Sequence, residues 1–414
     1  MWIFKAGVVG GGFMGAEIAQ VITYSGLPVV VKDIEQKQLD VAREKVESIY
    51  QRRVDKGKMT PGQMQEKLDL IDYTLDYDDF GDVDIVIEAV PEVMSIKKQV
   101  LGELNDVCPP DSIFASNTSA LSISEMAAAS GRPQRVIGMH FFSPAHVMKL
   151  VEIIPGEGTD QDTIDTVEQF TQEIRKIPVV VQECPGFLVN RLLVPYLNEA
   201  VLALEQGAAS AEEIDDAMGR DGFGWPMGPF ILIDFMGLDV SAEVADYMAP
   251  FYGDRIQPAR LFAKLVEAKR FGQRTNVGFY NYGVEDAEPL EEIIERLQQE
   301  EDIEVGTPFS TDRLMMPFLN EAALCAQEEI ANVNDIDMAC IAGVGMVVNL
   351  DGESVRMGPL EYMDELGLDV VVERMEALEE ELGPRFHPVD ILYQKVKAGN
   401  LGKKTGLGFM EWTV

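Results

Sequence analysis

The run IFKAGVVGGGFMGAEIAQVIT, Ile3 to Thr23, carries three patterns in succession. Ile3 to Val9 is apolar and β-rich, as a buried strand requires. Gly10, Gly12 and Gly15 then make a G-x-G-x-x-G turn enclosing Phe13 and Met14, and Ala16 to Thr23 has the spacing of a helix. A strand, a glycine turn and a helix in this order form the phosphate-binding unit of a dinucleotide fold. Gly10 permits the tight turn, Gly12 lets the backbone approach a pyrophosphate, and Gly15 lets helix and strand pack closely. The helix N-terminus meets the phosphates with unpaired amides and the positive end of its dipole. A second apolar run, Pro28 to Val31, ends at Lys32 and Asp33. An acid at Asp33, 18 residues past Gly15, suits the adenosine ribose and would repel a 2′-phosphate, so the expected cofactor is NAD rather than NADP.

From Ile34 to Asp69 the pattern is helical and polar, and Arg52, Arg53, Lys56 and Lys58 form a local basic cluster. On an acidic chain such a patch would attract a phosphorylated ligand; it reads equally as the exposed face of a helix hairpin. Strand patterns resume at Val83 to Ala89 and at Ile113 to Ala115. Glu92 and Lys97 follow the first; Ser116, Asn117, Thr118 and Ser119 follow the second. In an open parallel sheet ligands bind outside the carboxyl ends of the strands, so Glu92, Asn117 and Ser119 are expected at the edge that holds the glycine turn. Ser119 has a second reading as a helix N-cap, because the run Glu125 to Ala129 follows it.

VIGMHFFSPAHVMKLVEIIP, Val136 to Pro155, reads as strand, loop and strand. Each strand holds one ionisable residue: His140 ends the first, and Glu152 sits among Leu150, Val151, Ile153 and Ile154. A lone carboxylate there would carry a large desolvation penalty, which pairing with His140 relieves. An imidazole held by a carboxylate is oriented, set in one tautomer and made more basic, as a general base must be. The same two residues also fit a structural His beside an exposed edge Glu. His146, in the intervening loop, shows no partner acid and reads as a plain loop residue.

Composition narrows the class. A chain of 414 residues has room for two or three domains, and 46% hydrophobic with 25% charged residues describes an ordinary globular protein. The balance of 34 basic against 71 acidic residues, a net charge of −37, should repel nucleic acid and anionic membranes. Such an acidic excess suits adaptation to high salt and a strongly solvated surface alike. Cys108, Cys184, Cys325 and Cys340 are scattered, with no His at ligand spacing, so they read as reduced structural thiols and no metal site is expected. The segment MWIFKAGVVGGG enters a strand without the marks of a signal peptide, and no apolar run reaches membrane-spanning length. A soluble cytoplasmic protein is the expectation.

Beyond Pro185 the pattern is helical, with helices predicted over Asn190 to Leu204, Ala211 to Met218 and Gly228 to Asp246. It also repeats. RLLVPYLNEA (Arg191 to Ala200) returns as RLMMPFLNEA (Arg313 to Ala322), and Ile214-Asp215 as Ile336-Asp337. Met227 to Pro229, Gly237 to Asp239, and Gly272, Thr275, Gly278 and Phe279 return at Met357 to Pro359, Gly367 to Asp369, and Gly402, Thr405, Gly408 and Phe409. The offset lengthens from 122 to 130 residues, which places an insertion of eight within Gly345 to Ser354. The copies differ where chemistry would reside: Asp312 stands opposite Asn190, and Thr307-Pro308-Phe309 opposite Pro185-Gly186-Phe187. A helical domain that buries an apolar face against its own duplicate makes a dimer-like pairing intramolecular.

The glycine turn with Asp33, EAVPE (Glu88 to Glu92) with Lys97, SNTSAL (Ser116 to Leu121), GMHFFSP (Gly138 to Pro144), KLVEII (Lys149 to Ile154), PGFLVNRLL (Pro185 to Leu193) and PMGPF (Pro226 to Phe230) occur in order. Together they resemble the L-3-hydroxyacyl-CoA dehydrogenases of fatty-acid β-oxidation, from Ile3 to about residue 283. The tandem resembles the dehydrogenase part of the β-oxidation multienzyme subunits, without their crotonase-like portion. The resemblance implies an α/β Rossmann-type NAD-binding domain (1–184) and two all-α, 6-phosphogluconate-dehydrogenase-like domains (185–283 and a degenerate 310–414). The join between them (284–309) is dense in Glu, with little apolar content beyond one amphipathic segment, Leu290 to Leu297, and suits an exposed linker. It implies a base and orienting acid at His140 and Glu152, and Ser119 and Asn190 at the substrate's 3-oxygen. Gly10, Gly12, Phe13, Met14, Gly15, Asp33, Glu92, Lys97 and Asn117 would meet the cofactor, and Arg52, Arg53, Lys56 and Lys58 the CoA thioester. The implied substrates are 3-hydroxyacyl-CoA and 3-ketoacyl-CoA, on a monomer or weak dimer whose second helical copy replaces a dimer partner, with a hydratase or thiolase as a docking partner. Rival readings are a dehydrogenase of the same fold specialised for 3-hydroxybutyryl-CoA or for a non-CoA hydroxy acid, and a non-enzymatic NAD-binding protein. The tandem copy and the basic cluster oppose the non-CoA substrate; the presence of both His140 and Glu152 opposes the non-enzymatic reading.

Overall fold

Short runs of β-branched residues flanked by turns build the sheet of the first unit. In the computed structural model, which describes residues 1–413, the chain forms two compact units, Met1–Phe187 and Leu188 onward. The strands of the first are β1 (Ala6–Val9), β2 (Val29–Lys32), β3 (Ile71–Thr74), β4 (Ile85–Glu88), β5 (Ile113–Ser116), β6 (Val136–Phe141), β7 (Leu150–Pro155) and β8 (Ile177–Val180), in the order β3-β2-β1-β4-β5-β6-β7-β8. All neighbours are parallel except β6 and β7, which form an antiparallel pair. Parallel strands need crossover connections, supplied by α1 (Phe13–Ser25), α2 (Gln36–Asp55), α3 (Pro61–Leu68), α4 (Met94–Val107) and α5 (Ile123–Ala129), while α6 (Gln161–Glu173) joins β7 to β8. Val8, Val31, Ile85, Ile87, Ala115, Met139 and Val151 are buried in one apolar core with Ile18, Ile22 and Phe170 from the helices. This is the expected Rossmann-type architecture. The carboxyl ends of β1, β4 and β5 and the end of β6 meet along one edge, where ligands of such sheets bind.

The second unit is helical and built twice: α7 (Val189–Glu205), α8 (Ala211–Met218), α9 (Pro229–Met236), α10 (Leu238–Tyr252) and α11 (Arg260–Glu267), then α12 (Leu290–Glu301), then α13 (Thr311–Gln327), α14 (Val333–Gly343), α15 (Pro359–Leu366), α16 (Leu368–Leu382) and α17 (Asp390–Lys397). Two expectations change here. The helix predicted over Gly228 to Asp246 is two helices, broken at Gly237 (φ +109°, ψ +120°), and Gly367 repeats the break at φ +94°; a residue with a Cβ rarely adopts that conformation. The expected exposed linker is a docked helix: Leu290, Ile293, Ile294 and Leu297 of α12 are buried against α7 and α11. The Gln298 side chain donates to the Glu205 carbonyl at 2.7 Å. Spacing of i, i+3, i+4 and i+7 gives one apolar face, which outweighs the high Glu content around it. The insertion in the second copy is a hairpin, β9 (Val348–Leu350) with β10 (Glu353–Val355), and its Asn349 side chain donates to Arg220 and Gly222 of the first copy at 2.9 and 2.8 Å.

The copies pack through α7 and α13, and their ion pairs follow the duplication. Arg191 meets Glu321 at 3.1 Å while Arg313 meets Glu199 at 2.7 Å, all four side chains almost fully buried. Arg255 and Arg385, again equivalent, add a second guanidinium to Glu321 and Glu199. Tyr196 stacks on Trp225 (4.6 Å), whose edge meets Phe318 of the second copy. Residue i contacts j′ and j contacts i′, the geometry of an isologous dimer interface within one chain.

Each copy also buries an aspartate that receives two amides at the start of its next helix. Asp215 accepts from Phe230 and Ile231, and Asp337 from Leu360 and Glu361. Burial pushes the Asp215 carboxyl up to about 6 and that of Asp337 up to about 7. The native state therefore holds protons that the unfolded chain has released above about pH 4, so this contribution to stability is present at low pH and is lost as pH rises through about 7. Asp337→Asn should reduce the fall in Tm between pH 5 and pH 8 by roughly 5 °C or more. A melting profile with the same pH slope as the parent would refute the assignment.

No helix among the described residues is long and apolar enough to cross a membrane, and no group of His, Cys, Asp or Glu among them could hold a metal ion. Cys108, Cys325 and Cys340 are buried and Cys184 is half-buried.

Candidate active site

The glycine turn brings β1 into α1 with no room for a side chain at Gly10 or Gly15. Gly10 has φ +105°, and a Cβ there would stand 2.5 Å from the Ala89 carbonyl oxygen; one on Gly15 would stand 1.8 Å from that of Gly10. At Gly12 no atom lies within 4 Å of a Cβ position, and α1 begins there with no side chain capping its amides. Open space beside uncapped amides at a helix N-terminus suits a pyrophosphate. Asp33, just past β2, closes the turn: one carboxylate oxygen accepts the Gly11 amide at 2.7 Å and the other the Ile34 amide at 2.7 Å. Phe13 is exposed at the helix start, with the Lys45 ammonium 4.0 Å over its ring, while Met14 packs against the core.

β4 and β5 carry a polar network to the same edge. Glu88 is fully buried and accepts from the Val90 amide (2.7 Å), the Ser116 hydroxyl (2.6 Å) and the Lys97 ammonium (2.8 and 3.0 Å). Lys97 reaches on to Glu92 at 3.1 Å, and Glu92 accepts from the Thr118 hydroxyl (2.5 Å) and the Ser119 amide (2.9 Å). The sequence places Lys97 at the cofactor. Lys97 is 1% exposed and bonds the carboxylates of both Glu88 and Glu92. Asn117 accepts the Phe141 amide at 2.9 Å, fixing the end of β6 to the end of β5. Ser119 lies outside α5, whose N-cap is Ser122, so the capping alternative for Ser119 does not hold.

The antiparallel register of β6 and β7 pairs His140 with Glu152. Nδ1 of His140 lies 2.6 Å from Glu152 Oε2, with the carboxylate fully buried and the imidazole nearly so. With the proton on Nδ1 directed at the carboxylate, Nε2 carries the lone pair. The rings of Phe142 and Phe187 stand 4.5 and 5.9 Å from the imidazole and form apolar walls around it. His146 does have a partner acid, contrary to the sequence expectation. Its Nδ1 is 3.5 Å from a carboxylate oxygen of Glu17, which is fully buried in α1. No local pattern joins residues so far apart in the chain; only the approach of the loop to the helix does.

The remaining expected residues are spread more widely. Arg52, Lys56 and Lys58 are exposed at the end of α2 and just beyond, whereas Arg53 turns inward to donate to the Tyr24 hydroxyl at 2.6 Å. Asn190 stands in the first turn of α7, in the helical unit.

Comparison with known proteins settles the family. The model for the NAD-binding domain of 3-hydroxyacyl-CoA dehydrogenase matches residues 5–184, and the model for the C-terminal domain of the same enzymes matches twice, at 186–282 and 309–412. The chain belongs to the 3-hydroxyacyl-CoA dehydrogenase family. NAD is the cofactor that this domain binds, and the open, uncapped turn at Gly12 fits it. Among curated relatives, the fatty acid oxidation complex subunit alpha of Psychrobacter arcticus is 41% identical over 378 residues, covering 89% of this chain and 51% of the relative. This dehydrogenase chain thus spans about half the length of the curated relatives it matches. Of solved structures, the 3-hydroxybutyryl-CoA dehydrogenase of Escherichia coli K12 has a TM-score of 0.85 at 28% identity, covering 96% of this chain and 100% of its own. The (S)-3-hydroxybutyryl-CoA dehydrogenase of Ralstonia eutropha is 39% identical, with a TM-score of 0.66 over 68% of this chain and 100% of its own. For this family member the sequence placed Glu88, Ser116, Thr118, Phe142 and Phe187 within its motifs but gave none of them a role of its own. Glu88 had a signal, as a carboxylate ending an otherwise apolar strand; the two phenylalanines had none, since burial against an imidazole is a tertiary event.

Proposed function

We propose that the chain oxidises L-3-hydroxyacyl-CoA thioesters to 3-ketoacyl-CoA, reversibly, in fatty-acid β-oxidation, with His140 as general base. The observation that carries this is the His140–Glu152 pair, held by strand register at the sheet edge that also bears the dinucleotide turn. Bound NAD supplies the nicotinamide carbon that accepts the hydride from the substrate's C3. His140 Nε2 takes the 3-hydroxyl proton, and the Glu152 carboxylate stabilises the imidazolium that forms. Ser119 holds the 3-oxygen as it becomes a carbonyl, which favours the charge distribution of the transition state over that of the ground state. Glu92, kept in place by Lys97, Thr118 and Ser119, shapes the nicotinamide end of the pocket. Phe142 and Phe187 keep water from the imidazole.

The tandem helical copies make the pairing surface internal, so the proposal includes a chain that is active without a dimer partner. The relatives are named as subunits of a fatty acid oxidation complex, and we extend the proposal to a cytoplasmic enzyme that works beside a separate hydratase or thiolase. The direct test is NADH consumption across a series of 3-ketoacyl-CoA chain lengths. Turnover at one or more lengths is expected, and its distribution separates a 3-hydroxybutyryl-CoA specialist from a long-chain enzyme. NADH binding without turnover at any length would favour the non-enzymatic reading.

The exposed cations are assigned to the CoA phosphates. Charge reversal at Arg52, Lys56 and Lys58 together is expected to raise KM for the thioester by about tenfold, the effect of about 1.4 kcal/mol, with KM for NADH unchanged. An unaltered thioester KM would remove CoA from this patch and leave the cations as partners of the negative end of α2.

A further inference from the structure

The loop from Phe142 to Lys149 joins the strand that presents His140 to the strand that presents Glu152, and two buried charges grip its backbone. From α1, Glu17 accepts the Ala145 amide at 2.5 Å through one carboxylate oxygen. Its other oxygen faces the Lys45 ammonium of α2 at 3.2 Å and His146 Nδ1 at 3.5 Å. Lys176, in front of β8, donates to the Ala145 carbonyl and, at 2.6 Å, to the Met148 carbonyl. Glu17 is fully buried and Lys176 is 8% exposed. Burial pushes the Lys176 ammonium down to about 8, Lys149 adding to the fall and Glu17 opposing it.

Burying a carboxylate and an ammonium costs several kcal/mol each unless fixed partners replace the water they lose. In this chain much of that replacement is the backbone of one residue. The amide before the Ala145 α-carbon and the carbonyl after it are held by opposite charges, so neither peptide plane can turn without breaking a charge-assisted bond. Glu17 lies in the helix whose first turn is the dinucleotide site, and Lys45, its ion-pair partner, also covers the Phe13 ring in that turn. The grip therefore ties the loop that follows the base to the element that would seat the cofactor.

We propose that Glu17 and Lys176 are positioning residues of the dehydrogenase reaction, clamping Ala145 by its amide and its carbonyl so that His140 keeps one distance from the dinucleotide turn. This rests on the dehydrogenase function above. Displacement of a reacting group by about 1 Å can cost about 100-fold in rate, so slack in this loop should appear in kcat and not in cofactor affinity.

The test uses four variants of the full chain. Glu17→Met and Lys176→Met keep bulk but lose the acceptor or donor; Glu17→Gln and Lys176→Arg keep it. Three quantities are read: kcat per NADH-binding site, the Kd for NADH, and hydrogen exchange at the Ala145 amide in the free protein. Normalising to binding sites removes any misfolded fraction, and the Lys176 pair stands in if Glu17→Met does not fold. Both Met variants should lose about tenfold or more in kcat with the Kd for NADH little changed and faster Ala145 exchange, and the conservative variants should recover most of the turnover. Met variants that retain parental kcat per site, or a Glu17→Gln as impaired as Glu17→Met, would overturn the clamp. If the parent protein turns over no thioester, the dehydrogenase function fails on its own; unchanged Ala145 exchange in the Met variants would then overturn the clamp separately.

Discussion

His140→Gln should lower kcat by about 10³-fold, within the range of about 10² to 10⁴ for loss of a positioned general base, while NADH binds as before. The glutamine amide can occupy the imidazole's place beside Glu152, but it has no site that takes up and releases a proton near neutral pH. The dinucleotide turn, Asp33 and the Glu88–Lys97 network make no bond to His140, so NADH fluorescence titration should give a parental Kd. The two measurements together locate the loss in proton transfer. Turnover close to the parent in this variant would defeat the role given to His140, and with it the proposed mechanism.

Glu199→Ala should destabilise the helical unit by about 3–5 kcal/mol, the cost of leaving a buried charge without its partner. Arg313 is fully buried, with Glu199 2.7 Å away and its other bonds going to the neutral groups of Thr307, Pro308 and Gln206. The variant strands that guanidinium in the middle of the contact between the two copies and frees Arg385 as well. Glu321→Ala should cost less, because Arg191 keeps a second carboxylate, Glu328, at 2.7 Å while Arg255 is released. Replacing Glu199 and Arg313 together by apolar residues of similar volume should recover most of the loss, since a well-packed apolar pair avoids both desolvation penalties. Denaturant unfolding of the two single variants and the double variant measures this. A single variant that unfolds within about 1 kcal/mol of the parent would show that the duplicated ion pairs contribute little.

The parts of the molecule legible in sequence share one property: each is set by neighbours within a few residues. The glycine turn could be read because its backbone tolerates no Cβ at Gly10 or Gly15. The β6–β7 hairpin could be read because its two apolar runs flank a Ser-Pro turn, and its two ionisable misfits fell opposite each other in the register. The duplication was visible down to the placement of its insertion, which the structure resolves as a hairpin. Locally ambiguous signals misled: the amphipathic segment Leu290 to Leu297 was legible in the Glu-rich join but not its docking as α12, whose apolar face is only four residues wide, and an apolar run across Gly237 looked continuous although its backbone turns there.

The sequence by itself determined the Rossmann-type fold, the NAD turn, the helical duplication and the pairing of His140 with Glu152, because backbone sterics and apolar periodicity act over short distances. Only the tertiary structure decided where the buried charges end. Lys97 joined Glu88 to Glu92, His146 acquired Glu17, and Arg191 and Arg313 crossed to the opposite copies. A buried charge must find an opposite charge or a strong dipole wherever the fold brings one near. Partners such as Glu17 and Ala145, 128 residues apart, are chosen by packing and not by spacing along the chain.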